Sequence, residues 1–90
     1  MGLSYDPEKR VRTLRTRGLD FADAATVFAG PAFSFQDRRR DYGEVRWATY
    51  GLLGGRLVAV IWTQRGEDRH IISLRKCNDR EKDRYRSRLA

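Results

Sequence analysis

The chain has 90 residues, of which 19 are Lys or Arg and 12 are Asp or Glu, giving a net charge of +7 and a sequence pI near 10.3. A chain this short buries only about 60–65% of its unfolded surface, which supports one modest core (a single domain over 1–90) and excludes a separate substrate domain. One cysteine (Cys77) and one histidine (His70) exclude an internal disulfide and a four-ligand zinc site within the chain, so no metal or cofactor is expected.

The positive balance favours polyanions as partners. Sixteen of the nineteen cations are arginine, whose planar two-pronged donor set fits phosphate, although arginine-rich codon usage produces the same bias. No run approaches the ~18 apolar residues of a membrane span, and residues 1–9 hold no apolar signal stretch. The expected compartment is the bacterial cytoplasm, with no membrane contact.

In chain order, residues 2–5 are expected to form a short strand. Asp6-Pro7-Glu8 then has the chemistry of a helix start: a side-chain acceptor, a proline at the first helical position and an acidic residue at the positive end of the dipole. That helix is expected over residues 7–17, with Val11 and Leu14 on one face and Gly18 as its exit. Asp20 caps a second helix whose stripe is Phe21, Ala24, Ala25 and Phe28, ended by Gly30-Pro31. Together they read as an αα-hairpin with its apolar faces turned onto a sheet. Alternation or β-rich composition over residues 33–35, 44–52, 57–63 and 69–75 predicts an antiparallel meander of about four strands, with Gly54-Gly55 as a hairpin turn. Asn78 with Glu81 three residues on forms a capping box for a C-terminal helix to about residue 89. The class is α+β.

Within the thirteen residues from Thr63 to Arg75 lie Arg65, Arg69, His70, Ser73 and Arg75. Guanidinium groups and an imidazole on a rigid sheet suit phosphodiester cleavage or RNA gripping, because phosphate charge must be neutralised and a proton moved. Arg46, Arg65 and Arg75 are candidate phosphate donors; their plain alternative is surface charge. By strict alternation His70 shares a face with Ile72 and Leu74, apart from Arg69, Ile71, Ser73 and Arg75, and is then a structural histidine. A bulged strand would instead bring it to the arginines. The run Arg38-Arg39-Arg40 either clamps a phosphate backbone or is merely solvated. Arg80, Arg84 and Arg88 line one face of the last helix, where they track phosphates or pair with Asp79 and Asp83. Tyr85 docks that helix by its ring and offers its hydroxyl to a cleft.

An ordered set of residues carries a resemblance: Tyr5-Asp6-Pro7, Leu14, Gly18, Phe21, Ala24-Ala25, Val27-Phe28, Asp37, Gly43-Glu44 with Arg46, Gly51, Thr63 with Arg65, Ile71-Ile72-Ser73 with Arg75, then Glu81 and Tyr85. Together these resemble the BrnT family of toxins over nearly the whole chain. The resemblance implies a RelE-like fold and a type II toxin–antitoxin ribonuclease that arrests growth. It also implies neutralisation by a BrnA-type ribbon-helix-helix antitoxin, with operator DNA reached only through that partner. Arg46, Arg65, Arg75 and Tyr85 match positions associated with function in the family. Two positions depart. Thr16-Arg17-Gly18 stands where the family has Lys-His-Gly, and where it has arginine this chain has His70, a weaker and pH-dependent cation.

The expected reaction is metal-independent cleavage by the RNA 2′-OH, with Arg46, Arg65 and Arg75 stabilising the phosphorane, Tyr85 or His70 moving protons, and Glu44 as a further base. RNA contacts are expected from Arg38, Arg39, Arg40, Arg69, Arg84 and Arg88. The geometric requirement is convergence of the catalytic guanidinium groups on one pocket. The competing reading is a catalytically weak or inactive basic module that binds RNA or only its antitoxin. A DNA-binding regulator acting alone lacks a recognition-helix motif.

Overall fold

Local chemistry sets the first helix. The computed structural model describes residues 2–89, so both ends of the expected 1–90 domain, Met1 and Ala90, lie outside the described residues. Strand β1 (Leu3–Tyr5) leads into helix α1 (Pro7–Arg17), where the Asp6 carboxylate accepts from the Glu8 amide at 2.9 Å. Gly18 closes the helix with φ +69°, a left-handed turn that a side chain would strain.

The expected αα-hairpin does not form. After Asp20, which accepts from the Ala22 amide, the chain makes one 3-10 turn (Phe21–Asp23) and then a six-residue helix α2 (Ala24–Ala29). That piece is too short to offer α1 a helical partner. Phe21, Ala24 and Val27 are fully buried against the sheet, whereas α1 buries none of its residues and leaves Val11 and Leu14 about half exposed. Instead α1 lies beside the edge of the sheet. Arg10 grips Asp20 through two hydrogen bonds, and Arg17 donates to the Leu74 carbonyl at 3.0 Å.

The described residues form one five-stranded mixed sheet of order β1-β5-β4-β3-β2, rather than a meander of about four strands alone. Strands β2 (Ala32–Asp37), β3 (Arg46–Leu53), β4 (Arg56–Arg65) and β5 (Asp68–Lys76) run antiparallel in succession, with Gly54 and Gly55 in positive φ at the β3–β4 turn. The fifth strand is β1, which pairs parallel to β5 through Leu3↔Arg69, Ser4↔His70 and Tyr5↔Ile71.

One sheet face packs under the helices: Val58, Val60, Ile71 and Leu74 meet Phe21, Ala24 and Val27. The other is covered only at one end, by helix α3 (Asp79–Tyr85) and its 3-10 tail (Arg86–Leu89), where Tyr85 and Leu89 lie on Leu57, Ala59 and Cys77. The expected capping box starts α3, with Asn78 and Glu81 each accepting from the other's backbone amide. Burial pushes the Cys77 thiol up to about 11, so it acts as a small apolar side chain.

Between β4 and β5 the register slips by one. Ile61 faces Ser73 and Trp62 faces Ile71, so Ile72 is an extra residue without a partner on β4. Its side chain lines a groove shared with Thr13 and Thr16 of α1.

Candidate nucleic-acid interface

The bulge decides which side chains share a face. Beyond Ile72 the alternation of β5 inverts: Ile71 and Leu74 both enter the helix-covered core, while His70, Ser73 and Arg75 turn to the opposite side. Cross-strand partners stand side by side, so the register builds three rows on the open face. The first row is Phe33, Tyr50, Ala59 and Arg75; the second is Phe35, Ala48, Ile61 and Ser73; the third is Asp37, Arg46, Thr63, His70 and Ser4. First and third rows stand four residues apart along the strands, about 13 Å.

In the third row the Arg46 Nε donates to Glu44 Oε2 at 3.2 Å, its guanidinium lies 4.1 Å from the Tyr42 ring centre, and Arg65 approaches the same carboxylate at 3.9 Å. Thr63, buried between Arg46 and His70, donates its hydroxyl to the Val45 carbonyl at 2.7 Å. His70 Nδ1 shares a 2.8 Å hydrogen bond with Ser4 Oγ. Burial, and then the charge of Arg65, hold the His70 imidazole below its ordinary value of 6.5. It is therefore neutral near pH 7 and able to accept a proton.

The first row carries Arg75, locked to Glu81 by two hydrogen bonds of 2.7 and 2.8 Å. The Arg75 guanidinium and the Asn78 amide hold the Glu81 carboxyl down at about 2. Tyr85 packs at a tilt against Tyr50 and Phe33, with ring centres 4.6 and 5.2 Å away, as expected of a docking ring, and also faces the open side. Between the rows lies a concavity of about 460 Å³ floored by Ala48 and Ile61, with Phe35, Tyr85, Arg75 and Arg84 among its walls.

Arg46, Arg65, His70, Arg75 and Tyr85 thus share one face without meeting in one pocket. Arg75 and Tyr85 stand at one end; Arg46, Arg65, Glu44 and His70 stand at the other. Of the expected RNA contacts, Arg38 and Arg84 line the concavity and Arg88 covers Phe33 at 4.3 Å. Arg39 lines it too, but is paired with buried Asp37, whose carboxyl it holds at about 2. Arg40 rests 5.7 Å from the Tyr42 ring. Arg69 faces the other way, stacked 4.0 Å from Phe28 and 5.2 Å from Trp62. Arg69 belongs to the helix-packed side because the bulge follows it in the chain.

Sequence reasoning missed Phe33, Phe35 and Tyr50 as surface-forming aromatics and Asp37 as the anchor of the arginine loop. Period-two alternation in residues 33–35 was the available signal for the phenylalanines.

The described residues thus form an α+β unit with an arginine-studded, half-open sheet. The family described as the ribonuclease toxin BrnT of type II toxin–antitoxin systems matches residues 5–81, and the chain belongs to that family. Membership in a type II system implies an antitoxin partner and an RNA target. No curated protein matches the chain. None of the described helices is long and apolar enough to cross a membrane.

Proposed function

We propose that the chain is a metal-independent endoribonuclease that cuts RNA above Thr63 in the third row. Arg46 and Arg65 are the phosphorane donors and His70 the base. The 2′-hydroxyl oxygen forms a bond to the adjacent phosphorus and gives its proton to His70. The P–O5′ bond breaks, and water protonates the departing oxygen, since Tyr85 stands two rows away. Dependence on the 2′-hydroxyl makes the substrate RNA and not DNA. Arg75, Arg84 and Tyr85 hold the neighbouring nucleotides. The observation that carries this reading is the bulge at Ile72, which sets His70 on the face of Arg46 and Arg65.

In the cell this activity is that of a cytoplasmic growth-arresting toxin with a RelE-like fold in a single domain. It is neutralised by a BrnA-like ribbon-helix-helix antitoxin, and the pair reaches operator DNA through the antitoxin. Family membership supports these roles.

The test is incubation with end-labelled RNA in the presence of chelator. Products ending in a 2′,3′-cyclic phosphate are expected, and Arg46→Ala or Arg65→Ala should slow their formation about 10²–10³-fold and relieve growth arrest while the domain stays folded. Undegraded RNA carried in a slower-migrating complex would overturn cleavage. It would favour the second reading, a basic RNA- or antitoxin-binding module. One observation favours that module: Arg75 and Arg46 each already hold a carboxylate.

A further inference from the structure

We propose that the concavity between the two arginine clusters is a stacking site for one unpaired nucleobase, with Phe35 and Tyr85 as its platform. The proposal rests on the RNA reading of this face but does not require cleavage.

Phe35 pairs with Ala48 in the middle row, so its ring stands between the Arg75 end and the Arg46 end of the open face. It is 39% exposed, although it belongs to a cluster in which Phe33, Phe35, Tyr50 and Tyr85 lie 4.6–6.3 Å apart. A phenylalanine left open beside three packed rings presents a π-face that every base can use. The concavity of about 460 Å³ lies within the range of small-ligand sites.

The charges around it are arranged for a nucleotide. The two carboxylates of the lining, Asp37 and Glu81, each hold their own arginine, Arg39 and Arg75. Arg38 and Arg84 at the rim have no carboxylate partner among the described residues, Arg38 donating only to the Gln36 side-chain oxygen. Arg88 lies over Phe33 at 4.3 Å and over Phe35 at 5.2 Å, so these rings already hold a flat cationic group, which a base laid on Phe35 displaces. A base laid on Phe35 has its flanking phosphates directed toward arginines at both ends. A base held in a duplex cannot enter, so the substrate class is single-stranded RNA.

The test measures fluorescence anisotropy of a short, labelled single strand made uncleavable by 2′-O-methyl groups. The same strand with central abasic positions and its duplex are compared with it. The wild-type chain is expected to bind the abasic strand and the duplex at least about ten-fold more weakly than the intact strand. Phe35→Ala should bind the intact strand as weakly as the abasic one, and Phe35→Tyr should restore binding, with folding of both checked by circular dichroism. Equal affinity of the wild type for intact and abasic strands overturns the stacking site, as does unchanged binding by folded Phe35→Ala. A persistent abasic penalty in a chain that leaves unmodified RNA uncut supports the stacking site while removing the ribonuclease reading.

Discussion

Glu81 illustrates how much one side chain organises here. It accepts both prongs of Arg75, caps the Asn78 amide at 3.0 Å and so fixes α3 over the end of the sheet. Its carboxyl and that of Asp37 both sit at about 2 in the folded chain, against ordinary values of 4.5 and 3.8. The unfolded chain therefore binds protons more tightly. The stability these groups contribute is whole above about pH 5 and is lost as pH falls toward 2. Thermal unfolding followed by circular dichroism should show that loss. Glu81→Gln should lower stability at pH 7 by ~1–2 kcal/mol, a figure reduced for the partial exposure of Arg75, and should flatten the acid limb. His70 titrates in the same sense but at higher pH. Its lowered value means that protonation below about pH 6.5 opposes the fold and removes the proposed base. Cleavage should accordingly fall off on the acid side. His70→Gln should lose about 10²-fold in rate together with that pH dependence, and an unaltered pH–rate profile in the variant would exclude His70 as the base.

Strand β3 approaches α2 so closely that a Cβ on Gly51 would lie 2.7 Å from Val27 Cγ1 and 3.2 Å from Ala32 Cβ. Val27 is fully buried and has no room to yield. Gly51→Ala should cost about 1–3 kcal/mol by overpacking, read as a lowered denaturation midpoint with an unchanged slope. Elements with purely local determinants were legible in the chain: Asp6-Pro7 at α1, Asn78 with Glu81 at α3, Gly54-Gly55 in the hairpin. What failed depended on partners far away in sequence. Val11 and Leu14 have helical spacing, yet nothing in that spacing says that α2 will be too short to cover them. The parallel pairing of Ser4 with His70 spans 66 residues. The bulge at Ile72 carries no glycine or proline to mark it, so strict alternation places His70 on the wrong face, and the candidate site could be read only as two alternatives. Deleting Ile72 should remove the bulge while Ile61 still faces Ser73 and Trp62 still faces Ile71, so that His70 stays opposite Thr63 on the open face. The expected result is a folded chain that keeps its cleavage activity.

Across the whole molecule, cations stand on both sides. Arg38, Arg46, Arg65, Arg75, Arg84 and Arg88 stand on or around the open side, while Lys9, Arg10, Arg12, Arg15 and Arg17 lie on α1. Two of the six on the open side already neutralise carboxylates through close pairs, Arg75 with Glu81 and Arg46 with Glu44, so about four phosphates is the number this face can engage. Single-stranded nucleic acid releases about 0.7 counterion per phosphate neutralised. The logarithm of the RNA association constant should therefore fall against the logarithm of salt with a slope of about −2 to −3.5. Replacing Arg38 and Arg84 together by glutamine should make the slope shallower by about 1.4, two phosphate contacts' worth, whereas Arg15→Gln should leave it unchanged. A slope insensitive to the first pair but responsive to Arg15 would move the RNA from the sheet to α1, because counterion release reports which guanidinium groups touch phosphate regardless of what happens to the RNA afterwards.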